Sequence, residues 1–154
     1  MANNLFFADV VWPALYLEGR LFTWWAVSFG IVIETIFCIR LFKVSALKAF
    51  GVTIVANVVS AIVGLLLLPV IGLLWEFHPG LLLFKLKLSS TFGPPTWIAT
   101  LIMAALLSTT IEYHLLVLML KVQRQLRQFL WWFVANIITS GVAWVSLMIW
   151  APRQ

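Results

Sequence analysis

Four apolar stretches, each long enough to cross a lipid bilayer, constrain this chain more than anything else in it. A helical crossing needs about 20 predominantly apolar residues, and such runs fall at 21–42, 50–75, 97–120 and 128–150. Inside hydrocarbon every backbone polar group must find its partner within the protein, so an α-helix is the expected form of each run. Composition agrees. Hydrophobic residues make up 64% of the 154 and charged residues 10%, with a mean hydropathy of +1.09, whereas a soluble domain carries about 25% charged residues. The expected fold is therefore all-α, a polytopic four-helix transmembrane bundle forming one domain over 1–154, with the lipid bilayer as its first partner. The net charge of +5 needs no nucleic acid to explain it.

The connections between these runs orient them. "RLFKVSALK" carries Arg40, Lys43 and Lys48, and "KVQRQLR" carries Lys121, Arg124 and Arg127. Both are short, so each joins two crossings into a helical hairpin, and the positive-inside rule places both tips in the cytoplasm. The expected location is a bacterial inner membrane, with both termini and the central connection 77–96 outside. Trp24, Trp25, Trp75, Trp97 and Trp150 fall near outer ends and Trp131 and Trp132 near an inner one, as an interfacial belt requires. The first twenty residues lack a basic start and a small-residue cleavage site, so residue 1 is expected to begin the mature chain. The run 5–17 is too short to span and reads as an interfacial helix. The alternation at 84–88, Phe-Lys-Leu-Lys-Leu, reads as a short strand or a surface-lying segment. Pro94 and Pro95 are expected to end that segment before the third helix, and Pro69 to kink the second.

An internal repeat organises the polar residues. Ile33-Glu34 recurs as Ile111-Glu112, and Lys43-Val44 as Lys121-Val122, both at an offset of 78. Past one inserted residue the offset becomes 79: Leu47-Lys48-Ala49-Phe50 meets Leu126-Arg127-Gln128-Phe129, Val55-Ala56-Asn57 meets Val134-Ala135-Asn136, and Ser60 meets Thr139. Rare polar residues coinciding in this way point to a duplicated hairpin, about 21–76 and 97–150. Two crossings per unit make it a parallel repeat about an axis along the membrane normal.

Glu34 and Glu112 are the centre of that repeat. Each lies nine residues from its tip lysine, a helical rise of about 13.5 Å, which is near half of the roughly 30 Å hydrocarbon thickness. Asn57 lies nine residues beyond Lys48, and Asn136 nine beyond Arg127, so each asparagine reaches the depth of its glutamate. An ionised carboxylate at mid-membrane costs about 2.5–3.5 kcal/mol on insertion scales, and two at close range repel. At least one carboxyl is thus expected to hold a proton and donate it to an asparagine carbonyl oxygen, the amide donating back. Small and hydroxylated neighbours favour close helix packing: Thr53, Asn57, Ser60 and Gly64 on the second helix, and Asn136, Thr139, Ser140 and Ala143 on the fourth. Ser108, Thr109 and Glu112 share a face of the third helix, and Gly30, Glu34 and Cys38 one of the first.

Candidate site residues are accordingly Glu34, Asn57, Ser60, Ser108, Thr109, Glu112, His114, Asn136 and Thr139. His114 lies about 200° round the helix from Glu112, and two roles fit it: a hydrogen bond to a neighbouring helix, or a proton relay or metal ligand at an oligomer contact. His78 reads as an outer loop residue. The lone Cys38 can form no disulfide within the chain and reads as a packing residue. HExxH, GxSxG, CxxC and phosphate-binding glycine motifs are absent, so the chain does not read as an enzyme. No cofactor is identified.

Two functions fit. Intramembrane acids mark ion pathways and proton relays, which suggests a small proton- or cation-coupled transporter or ion-conducting homo-oligomer. In mechanism alone this resembles the small multidrug-resistance exporters, with four short helices and a glutamate in the first; the second glutamate and the long outer connection depart from that pattern, and no residue role is carried over. The alternative is an accessory or assembly subunit of a larger membrane complex, its Glu/Asn pairs acting as hydrogen-bonded staples.

Overall fold

The computed structural model describes residues 24–75 and 94–149. The expected interfacial helix at 5–17, the alternating segment 84–88 and His78 lie outside these residues. Four helices account for the described chain: α1 (Trp24–Phe42), α2 (Ala46–Trp75), α3 (Pro94–Leu120) and α4 (Leu126–Ile149). All four are long and apolar enough to cross a membrane.

Helix starts differ from the sequence expectation for local reasons. α2 begins at Ala46, four residues early, because Ser45 supplies a favoured N-cap type and its carbonyl accepts the Ala49 N–H at 2.9 Å. α3 begins at Pro94, so the two prolines open the helix and do not precede it. A proline in the first turn loses only an N–H that has no intrahelical partner, and its φ is already helical. α2 continues through Pro69 to Trp75.

Two helix ends are alike. Lys43 and Lys121 take the left-handed conformation, with φ of 52° and 55°. The Lys43 N–H bonds Ile39 O at 2.9 Å, and the Val122 N–H reaches back to Val117 O at 3.3 Å. Both bonds satisfy carbonyls that a helix C-terminus leaves open, a task usually given to glycine. Three residues then lead into α2, and five into α4.

The helices pack as a ring. α1 contacts α2 and α4, and α3 contacts the same two, so α1 and α3 occupy opposite corners. Near the tips the core is bulky: Phe42, Tyr113, Leu116, Leu120 and Trp132 cluster with Cys38, Val52 and Val117. Phe42 stands 6.4 Å from the Tyr113 ring and 6.5 Å from that of Trp132, which places residues of both halves at one end of the bundle. Beyond the glutamates the buried residues are small, among them Ala26, Ala104, Ala105 and Ala143.

No spanning window is more than 33% buried, and the outward faces carry Val32, Ile36, Val58, Ile62, Ile102, Leu106, Leu130 and Ile138 exposed. In water so continuous an apolar surface would drive association; in lipid it is the solvated surface.

Candidate functional site

Polar side chains that face inward from apolar helices need partners, because an unpaired buried polar group costs about 1–3 kcal/mol. Glu34 lies near the middle of α1 and Glu112 eight residues before the end of α3, and both are 2% exposed. Their partners come from both neighbouring helices.

Asn57 of α2 donates through Nδ2 to Glu34 Oε2 and uses its other hydrogen on Thr53 O, one turn back, at 3.0 Å. Asn136 of α4 repeats the arrangement, donating to Glu112 Oε2 at 3.0 Å and to Trp132 O at 3.3 Å. The asparagine carbonyl is therefore not the group that faces the glutamate, contrary to the sequence expectation. Turning either amide over would set Oδ1 against a backbone carbonyl oxygen, two acceptors without a hydrogen.

Hydroxyls cross between the halves. Ser60 Oγ of α2 lies 2.7 Å from Glu112 Oε1 on α3 and 3.1 Å from Asn57 O. Thr139 of α4 approaches the Glu34 carboxyl of α1 while donating to Asn136 O at 3.1 Å. Gly30, one turn before Glu34, also faces Thr139: a Cβ at that position would meet the Thr139 side chain at 3.8 Å, an ordinary van der Waals contact. A carboxyl from α1 and one from α3 are thus brought into one layer, linked through Ser60, which reaches both Glu112 Oε1 and the carbonyl oxygen of Asn57, the residue that bonds Glu34.

Trp132 is the residue sequence reasoning missed. It belongs to the core and not to the interfacial belt: it is fully buried, and its indole Nε1 donates to Glu112 Oε2 at 3.1 Å. Trp131 beside it is 47% exposed. Trp132 lies four residues before Asn136 and so on the same helix face, but its place near a helix end gives it the signature of an interfacial tryptophan as well.

The remaining candidates stand apart. Thr109 is fully buried, but its hydroxyl has no partner. Ser108 is half-buried. His114 faces outward, its Nδ1 2.7 Å from Thr110 O, so it bonds within its own helix and not to a neighbouring one. Cys38 is buried beside Thr53. Among the described residues no three His, Cys, Asp or Glu side chains gather closely enough to hold a metal ion.

No known protein family, curated protein or solved structure matches this chain.

Proposed function

We propose that this is a small membrane transporter or ion-conducting protein whose Glu34–Glu112 layer takes up and releases a proton or small cation, working as a homo-oligomer. The observation that carries this reading is the convergence of two buried carboxyls whose partners, among the described residues, are amides, hydroxyls and an indole, with no Lys or Arg. Two like charges repel there without a compensating cation, which supports a layer that takes up a proton or small cation. A purely structural link could use two amides.

The working layer comprises Glu34, Asn57, Ser60, Glu112, Asn136 and Thr139, with Trp132 added; Ser108, Thr109 and His114 flank it. We further read the two halves as a duplicated hairpin. Support comes from matching features at the offsets of 78 and 79: left-handed Lys43 and Lys121, buried Glu34 and Glu112, and Asn57 and Asn136 with the same pair of acceptors. Arg40, Lys43, Lys48, Lys121, Arg124 and Arg127 are all exposed, which supports tips facing the cytoplasm of an inner membrane.

Purified protein in liposomes carrying a trapped pH-sensitive dye tests the reading. Glu34→Gln and Glu112→Gln keep hydrogen-bonding capacity and should abolish ion flux in folded protein; flux at the wild-type rate would remove the layer from the pathway.

One observation favours the accessory-subunit alternative. The layer ties every adjacent pair of helices, α1 to α2 through Asn57, α2 to α3 through Ser60, α3 to α4 through Asn136, and α4 to α1 through Thr139. On that reading the protein would co-purify in mild detergent with a stoichiometric larger partner, and recovery of a homo-oligomer alone would count against it.

A further inference from the structure

The kind of hydrogen-bonding group that faces each carboxyl distinguishes a proton from a metal cation. Around Glu34 the packed helices present Asn57 from α2, Glu112 from α3 and Thr139 from α4. Around Glu112 they present Glu34 from α1, Ser60 from α2, and Trp132 and Asn136 from α4. The two carboxyls are the titratable groups in this set; Cys38, one turn along α1, makes its contact with Thr53.

Both amides are locked. Each spends one N–H on the carbonyl four residues back, Thr53 O or Trp132 O, and that carbonyl can only accept. The second N–H must then point at the carboxyl, and the Trp132 indole is a donor with no acceptor capacity. Three N–H groups therefore turn their positive ends toward the carboxyl oxygens, one toward Glu34 Oε2 and two toward Glu112 Oε2. Hard cations require several oxygen ligands around them, and those N–H groups occupy directions from which such ligands would have to come. A proton needs a single lone pair.

The hydroxyls supply what the amides cannot. Ser60 Oγ lies between Glu112 Oε1 and Asn57 O, and its one hydrogen serves one of them at a time. With Glu112 ionised the hydroxyl donates to the carboxylate; with Oε1 protonated the carboxyl donates to Oγ and the hydroxyl hydrogen turns to Asn57 O. No heavy atom has to move. Thr139 has the corresponding place beside Glu34, with Asn136 O as its second acceptor at 3.1 Å.

We propose that the ion handled by this layer is H⁺, one proton shared by Glu34 and Glu112, with Ser60 and Thr139 reversing their hydrogen bonds as it arrives and leaves. The proposal rests on the reading of the layer as an ion site and narrows it to one ion. The proton comes from water and returns to water, and no bond other than O–H forms or breaks.

Infrared titration of the protein in lipid nanodiscs, from acid to alkaline pH, in sodium chloride and again in choline chloride, decides it. We expect one carboxylic C=O band per chain to titrate, shifted in Glu34→Gln or Glu112→Gln and lost only in the double variant, with the same midpoint in both salts. Ser60→Ala and Thr139→Val retain both acids and should shift the band, since each removes the hydroxyl that faces one of the two carboxyls sharing the proton. A midpoint that falls by about one pH unit for each tenfold rise in Na⁺, the linkage expected for competition, would overturn the proton assignment and leave the ion site standing. A carboxyl signal unchanged across the whole range in both salts would overturn the ion site as well.

Discussion

Glu34 and Glu112 each lie eight residues before the end of their helix, yet they are not equally held. Each receives one amide hydrogen from the helix that follows it and has one hydroxyl from the other half beside it. Glu112 has a third donor, the Trp132 indole at 3.1 Å. The position 79 residues earlier is Thr53, which is just as buried but whose hydroxyl sits beside Cys38 and not at Glu34. Asn136 is buried, whereas Asn57 is half-buried. A hydrogen bond to a charged group contributes about 1.5–3 kcal/mol, enough to bias the resting place of one shared proton by about tenfold or more. We read Glu112 as the carboxyl that carries the charge and Glu34 as the one that carries the proton. A symmetric pair would hold its proton equally on both sides; one extra donor gives it a direction.

The largest effects should come from removing the carboxyls. Glu112→Ala leaves the buried indole N–H of Trp132 and an Asn136 hydrogen without acceptors, for a loss of about 3 kcal/mol, against about 1–2 kcal/mol for Glu34→Ala. Unfolding of the two variants in the same detergent measures the gap, and equal losses would erase the asymmetry. Trp132→Phe probes the difference directly. It should cost about 1–3 kcal/mol and move the protonated-carboxyl infrared band toward a mixture of both sites; an unchanged band would mean the indole does not bias the proton.

Thr35 and Tyr113, 78 residues apart and each next to a glutamate, extend the comparison to the tips. Tyr113 Oη donates to Gln125 O at 3.0 Å and accepts from Gln125 N at 2.7 Å, fastening the turn into α4. The hydroxyl of Thr35 is buried with no partner. Tyr113→Phe should lose about 1–2 kcal/mol, while Thr35→Val should be neutral or slightly stabilising, as thermal unfolding would report. The smallest effects belong to the turns, where the halves agree. Lys43→Gly and Lys121→Gly relieve the left-handed backbone and should each stabilise by up to about 1 kcal/mol. Unequal responses would separate the two turns despite their matching φ angles.

Much of this arrangement was legible in the sequence because polar residues are scarce in it. Four apolar runs set the helices, and counting residues from the basic residues of the tips brought Glu34 level with Asn57 and Glu112 level with Asn136. Trp132 was not legible as a core donor, since a tryptophan near a helix end has the same signature whether it faces headgroups or a buried carboxylate. The bond from Ser60 to Glu112 was hidden for another reason: it joins the two halves, and spacing within one hairpin carries no information about how the second docks against it. Amide orientation depended on the carbonyl one turn back, which is a matter of side-chain geometry. His114 shares a helix with Glu112 but points away, as its angular offset of about 200° implied.

The central claim, that this buried carboxyl pair exchanges one proton, is tested most directly by counting protons. Potentiometric titration of the folded wild type against the Glu34→Gln/Glu112→Gln double variant, in the same lipid and across the same pH range, should show one additional exchangeable proton per wild-type chain. Identical curves would mean that the layer holds its protons permanently and only binds the helices together.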